Sequence, residues 1–227
     1  MEKNYALCLD VLRTFKRAGV LDEVVLVGSW CLHFYREYFP HSSYHPTIRT
    51  RDVDFLVPLP KRIKAKVDVA ALLKEKGFVV SFSGSKGFIR LMHPELIVEF
   101  LVPELGRDTD KPVLLPGLGI NAQPLRFLDF LANHTTTLEA EGLSIRVPHP
   151  AAYGLHKLIV STRRKTDEKF LKDRREAIDI LTALIRKGEG ARIKSLYDEM
   201  PVRWRSKAKK VLEEYGDTKI IDVLRNE

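Results

Sequence analysis

Cysteine is scarce in this chain of 227 residues: Cys8 and Cys31 are the only two. They lack metal-ligand spacing and both sit among apolar residues, which speaks against a disulfide framework. No apolar run approaches the roughly 20 residues needed to span a bilayer. The first ten residues, MEKNYALCLD, carry charges inside their apolar stretch, unlike a secretory leader. Internal repeats and low-complexity segments are absent. With 44% hydrophobic residues, the composition is that of ordinary globular protein and not of a disordered chain. A reducing, cytoplasmic setting is the expectation, and the length suits one substantial domain or two small ones.

Acidic residues are outnumbered, 30 against 38 Lys and Arg, for a net charge of +8. The excess gathers after Ala151, notably in STRRKTDEKFLKDRR. Such a surplus argues about partners and not about fold. RNA, DNA and nucleoside triphosphates are the natural candidates, although a charge run taken alone is more often a solvated helix face.

The most informative stretch runs from Val25 to Val57. It reads VLVGSW, a helical segment, and then TRDVDFLV. Residues two apart in a strand share a face, so Asp52 and Asp54 point one way while Val53 and Phe55 point into the core. Two adjacent carboxylates repel each other and are costly to bury, and a divalent cation removes that cost. Mg²⁺ (or Mn²⁺) held by one or two carboxylates plus substrate phosphates is the natural match. Gly28-Ser29 would supply the phosphate end, because glycine allows close backbone approach and the helix that follows points free N–H groups at an anion. Either element alone has a plainer reading: Asp-x-Asp as a solvated strand end, Gly-Ser as a helix cap.

This ordered set resembles the nucleotidyltransferase superfamily that shares its fold with DNA polymerase beta. There, a Gly-Ser pair opens a helix after the first strand, and a later strand carries metal-binding Asp-x-Asp. The resemblance implies metal ligands at Asp52 and Asp54 and phosphate contacts at Gly28 and Ser29. The segment between Ser29 and Asp52 is longer than in the minimal members. It holds His41, His45 and Arg49, and leads to Arg51. Arg49 and Arg51 flank the acids, where they would contact phosphate or neutralise the carboxylates.

Elsewhere the periodicity predicts a helix over 4–18, a strand over 23–27, a helix over 30–38 and a helix over 61–76. Strands are expected over 78–82 and 88–92, joined by SGSKG, and over LIVEFLVP. Glu99 interrupts that last apolar strand. An isolated carboxylate there needs a partner or a metal, and the resemblance implies a third metal ligand; the plainer reading is a water-facing edge residue. This first sheet is expected to end near Arg107. Residues 108–124 read as a crossing segment, RFLDFLANH as a short helix, and TTTLEAEGLSIRVP as a hairpin that extends the same sheet.

From Pro150 the chain reads as helical: PAAYGLHKLIVST, then 167–187, then three shorter helices over 193–199, 202–215 and 219–224. The pattern HKL followed by KDRREAIDIL resembles the AbiEii and MenT-type toxin nucleotidyltransferases. That resemblance implies Lys157 at the triphosphate and Asp173 orienting groups at the site. Lys169 and Asp173, four apart, share a helix face. Glu99 and Asp173 compete for the role of third acid.

The expected architecture is therefore α+β: a nucleotidyltransferase-type mixed β-sheet with flanking helices over 1–149, followed by a mostly helical part over 150–227 that completes the nucleotide site. The expected activity is transfer of NMP from an NTP to an acceptor hydroxyl by a two-metal route; the basic helices suggest RNA such as a tRNA end as the acceptor, with a protein or a small aminoglycoside-like molecule as the alternatives. A toxin-antitoxin-like role follows from analogy alone. The competing reading is a catalytically inactive nucleic-acid-binding or regulatory protein on the same fold.

Overall fold

The computed structural model describes residues 2–40, 44, 50–104, 106 and 111–225. The chain forms two compact units, one of Met1–Tyr38 and Pro46–Pro148, the other of Phe39–His45 and His149–Glu227. Among the described residues no helix is long and apolar enough to cross a membrane.

The first unit is built on a mixed sheet. Its strands are β1 (Val25–Val27), β2 (Asp52–Leu56), β3 (Val79–Ser83), β4 (Phe88–Met92), β5 (Ile97–Pro103), β6 (Val113–Leu115) and β7 (Ile120–Leu125). The order is β1-β2-β5-β4-β3, with β7 also on β5 and β6 on β7. β2 and β5 run parallel, with Asp54 beside Glu99, while β4 lies antiparallel to β5 with Arg90 beside Glu99. One face of these strands is the core, where Val53, Phe55, Leu91, Val98 and Phe100 are buried. Helix α1 (Glu2–Arg17) covers it, and its Phe15 ring lies 5.1 Å from Phe55 and 6.0 Å from Phe100. The other face carries Asp52, Asp54, Glu99 and Arg90, so strand alternation sorts apolar from charged as the sequence pattern requires.

Three expectations need correction. The helix expected over 61–76 is confined to α3 (Val69–Lys74), capped by Asp68, whose side chain accepts from the Ala71 N–H at 2.9 Å. Before it, exposure alternates along residues 62–68, with Ile63, Ala65 and Val67 turned inward; an apolar period of two there marks an extended segment and not a helix. The sheet does not end near Arg107, because β7 pairs with β5 through Leu101–Gln123. The hairpin of β8 (Thr135–Ala140) and β9 (Leu143–Pro148) forms its own two-stranded sheet instead of extending the larger one. Helix α2 (Trp30–Tyr38) belongs to the same unit; its Tyr35 hydroxyl donates to the Pro148 carbonyl at 2.8 Å. The short α4 (Leu128–Asn133) links β7 to β8.

The second unit is helical: α5 (Pro150–Ser161), α6 (Asp167–Arg186), α7 (Gly190–Glu199), α8 (Val202–Glu214) and α9 (Thr218–Arg225). Pro150 opens α5 at a position whose N–H would have no partner within the helix. The α5–α6 contact is close at Gly154, where a Cβ would lie 2.7 Å from Leu181 Cγ.

Candidate active site

The corner after β1 is set by Gly28, whose φ of +74° is a left-handed conformation that only glycine adopts without strain. A Cβ on Gly28 would fall 2.4 Å from Asp54 Oδ2, so the corner is seated directly on the second aspartate. Register explains the approach: Val27 lies opposite Asp54 across the β1–β2 pair. Ser29 is buried and leads directly into α2.

Asp52 is exposed at the start of β2, and its Oδ2 accepts from the Thr50 hydroxyl at 3.4 Å. Asp54 is less exposed, and Glu99 flanks it on the neighbouring strand. Three carboxylates thus share one face. Among the described residues no group of three or more His, Cys, Asp or Glu side chains is drawn together tightly enough to hold a metal by itself. Glu99 is instead engaged by Arg90, at 2.5 Å. The residues fit a cation that takes one or two carboxylates and completes its shell with substrate phosphates and water, because Asp52 is open to solvent and the Gly28 corner leaves no side chain in the way.

Arg51 has the opposite strand parity to the aspartates, and its guanidinium donates to the His93 carbonyl at 2.7 Å. Arg49, with His41 and His45, lies outside the described residues. Lys157 and Asp173 belong to the second unit, where the ammonium bridges Asp173 at 2.6 Å and Glu176 at 2.8 Å. Arg164 also binds Asp173, and the Tyr153 hydroxyl donates to Glu176 at 3.1 Å. Burial alone would lower the Lys157 pKa, but Glu176 and Asp173 outweigh it and hold the group above the ordinary lysine value. Burial alone would raise Asp173, but Lys157 and Arg164 hold it below the ordinary carboxylate value. Lys169, which shares a helix face with Asp173, is exposed.

Sequence reasoning missed Arg90, Tyr153, Arg164 and Glu176. Arg90 was visible as the lone charge within FIRLM, the complement of the lone acid in LIVEFLVP. Tyr153 precedes Lys157 by four and Glu176 follows Asp173 by three, spacings that share a helix face.

The sequence model of a nucleotidyltransferase family matches residues 7–200. The chain belongs to that family. No curated protein sequence matches this nucleotidyltransferase. Among solved structures it is similar to an antigenic nucleotidyltransferase-like protein from Paracoccidioides brasiliensis, at 14% identity and a TM-score of 0.50, over 95% of this chain and 91% of that one. It is also similar to ANT(2'')-Ia in complex with adenylyl-2''-tobramycin, at 13% identity and a TM-score of 0.46, over 87% of this chain and 99% of that one. At 14% identity the likeness to the Paracoccidioides protein speaks to the fold alone, and the family match carries the reaction class.

Proposed function

We propose that this nucleotidyltransferase is a metal-dependent enzyme that moves NMP from an NTP to a hydroxyl of an RNA acceptor. The observation that carries the reading is the Gly28 corner seated on Asp54, beside Asp52 and Glu99. A triphosphate laid along Gly28-Ser29 meets main-chain N–H groups at the start of α2. Asp52 and Asp54 would hold Mg²⁺ (or Mn²⁺), which when bound neutralises the phosphates and stabilises the entering and leaving oxygens. The acceptor oxygen forms its bond to the α-phosphorus as the α–β bridge breaks, and pyrophosphate leaves. Glu99, beside Asp54, takes the hydroxyl proton. The ion pair with Arg90 orients the Glu99 carboxylate for that task. What the chain supplies is mainly positioning and charge, which is what phosphoryl chemistry asks of a protein.

Within the superfamily we place the chain with the AbiEii and MenT-type toxin enzymes, on the order Gly-Ser, Asp-x-Asp, Lys157, Asp173. The ion pair of Lys157 with Asp173 also fastens α5 to α6. The test is pyrophosphate release and label transfer from each α-labelled NTP to total cellular RNA, with Asp52→Ala and Asp54→Ala as controls. Transfer should vanish in both variants while their circular dichroism is unchanged. Retained transfer in either variant rejects the assignment. RNA binding without Mg²⁺ and without pyrophosphate release would point to the non-catalytic binding protein instead.

A further inference from the structure

The sheet divides beyond Glu99. On the side of β5 away from β2, β4 pairs with residues 97–99 and β7 with residues 101–103. A cavity of about 290 Å³ opens where the two separate, lined by Gly84, Ser85, Lys86, Phe88, Gln123 and Pro124. Its wall is built and not incidental. Asn121 on β7 accepts from the Ile89 N–H at 2.8 Å and donates to the Gly87 carbonyl at 3.0 Å, which fixes the β3–β4 turn against β7.

Strand parity places this cavity on the reacting face. Phe88 is two residues from Arg90, and Gln123 lies opposite Leu101, two residues from Glu99. Phe88 and Gln123 therefore face the same side as Asp54 and Glu99. One strand spacing and two residues separate Phe88 from Glu99, a distance on the order of 10 Å, which is the reach of a single nucleotide.

Taking the nucleotidyl-transfer reading as the basis, we propose that this cavity seats the acceptor, and that it selects a nucleotide of a single-stranded RNA end. The half-buried Phe88 ring offers a stacking surface for a base. The Gln123 amide offers both a donor and an acceptor to a base edge. The exposed Lys86 ammonium on the turn meets the phosphate that follows. Among the described residues no carboxylate lines the cavity, so a polycationic acceptor such as an aminoglycoside meets Lys86 there.

The test uses the full chain and a fluorescently labelled single-stranded RNA of about 12 nucleotides, read by anisotropy at fixed salt. NTP–Mg²⁺ binding is measured by calorimetry on the same samples. Phe88→Ala should weaken RNA binding roughly 10- to 100-fold, the cost of losing one stacked base, with NTP binding within about twofold of wild type. Phe88→Trp should restore it, and Gln123→Ala should weaken it without touching the ring. Lys86→Met should lower the slope of log affinity against log salt by about one. RNA affinity unchanged in both Phe88→Ala and Gln123→Ala overturns the proposal. So does calorimetric binding of an aminoglycoside that Phe88→Ala abolishes. A wild type that binds RNA through Phe88 but shows no NTP binding would count against the enzymatic reading and not against the cavity.

Discussion

Gly28 and Asp54 are packed so closely that a single methyl group on the glycine would lie 2.4 Å from the carboxylate oxygen. The backbone at Gly28 is also left-handed, with φ of +74°. Gly28→Ala therefore combines about 1–2 kcal/mol of backbone strain with displacement of Asp54 itself. A shift on the order of 1 Å at a reacting group costs roughly 10²-fold in rate. We expect Gly28→Ala to lose that much transfer activity while its far-ultraviolet circular dichroism is unchanged. Near wild-type turnover in Gly28→Ala would mean that the corner and the aspartate do not act together.

Glu99 and Asp173 compete for one role on sequence grounds, and variants of the two test which holds it. Glu99 adjoins Asp54 and pairs with Arg90, whose side chain is 37% exposed. Asp173 is 2% exposed and is held between Lys157 and Arg164. Glu99→Gln should lower kcat by roughly 10²–10⁴, the range for losing a general base, and move the melting temperature by only about 3 °C, since a partly exposed pair is worth about 1 kcal/mol at most. Asp173→Asn should do the reverse, with a melting point lower by roughly 10 °C. Turnover assays and thermal melts on the two variants decide the matter, and a kinetic defect in Asp173→Asn without a stability loss would return it to the catalytic machinery.

Lys157 stands between the buried Asp173 and the half-buried Glu176, so its removal is worse than the loss of one ion pair. Lys157→Met leaves Asp173 and Glu176 side by side without their ammonium, at a cost of about 3–5 kcal/mol. Lys157→Met combined with Asp173→Leu should recover part of that, because it removes the more deeply buried of the two carboxylates that the ammonium served. The sign of the pH dependence follows from the shifts. Lys157 is raised above 10.5, so its contribution is complete below that value and fades as pH rises through the folded pKa. Asp173 is lowered below 3.8, so its contribution is complete above that value and fades as pH falls through the folded pKa. The deficit of Lys157→Met, measured by urea unfolding, should therefore be constant from about pH 5 to pH 9; a deficit that varies across that window would assign the stabilisation to other groups.

How far the sequence discloses this arrangement depends on the length scale of each signal. The Gly-Ser corner, the strand of Asp52 and Asp54, and the inward Val53 and Phe55 are local patterns of period two, and they hold in the structure. The basic helices from Pro150 onward keep their boundaries to within a few residues because their apolar stripes are long. What escaped is pairing between distant segments. Nothing near Glu99 in the chain says that Arg90 will lie beside it, since that follows from β4 turning back onto β5. The same holds for Gln123, which reaches the face of Asp54 and Glu99 only because β7 takes the place beside β5 that β4 vacates. The helix expected over 61–76 shrinks to α3 because Ile63, Ala65 and Val67 alternate with exposed residues, a period of two that marks extended chain.

His156 provides the acid side of the stability profile. It is 8% exposed on α5, and its Nε2 has no hydrogen-bond partner among the described residues. Burial, with the neighbouring Lys157 adding to it, pushes its pKa down to about 3 from 6.5. Between those two values the unfolded chain binds a proton that the folded chain refuses, so stability is complete above 6.5 and falls as pH drops towards 3. From pH 7 to pH 5 the loss is about 2 kcal/mol, or roughly 4–8 °C in melting temperature for a chain of this size. His33, half-buried beside Tyr5 and also lowered by burial and by Arg36, adds a smaller loss of the same sign. His156→Leu abolishes the greater of these two losses without stranding a partner. Its melting temperature should fall much less than that of the wild type between pH 7 and pH 5, leaving the shallow slope that His33 accounts for. Parallel melting curves for the two proteins across that interval would show that His156 is charged in the folded state.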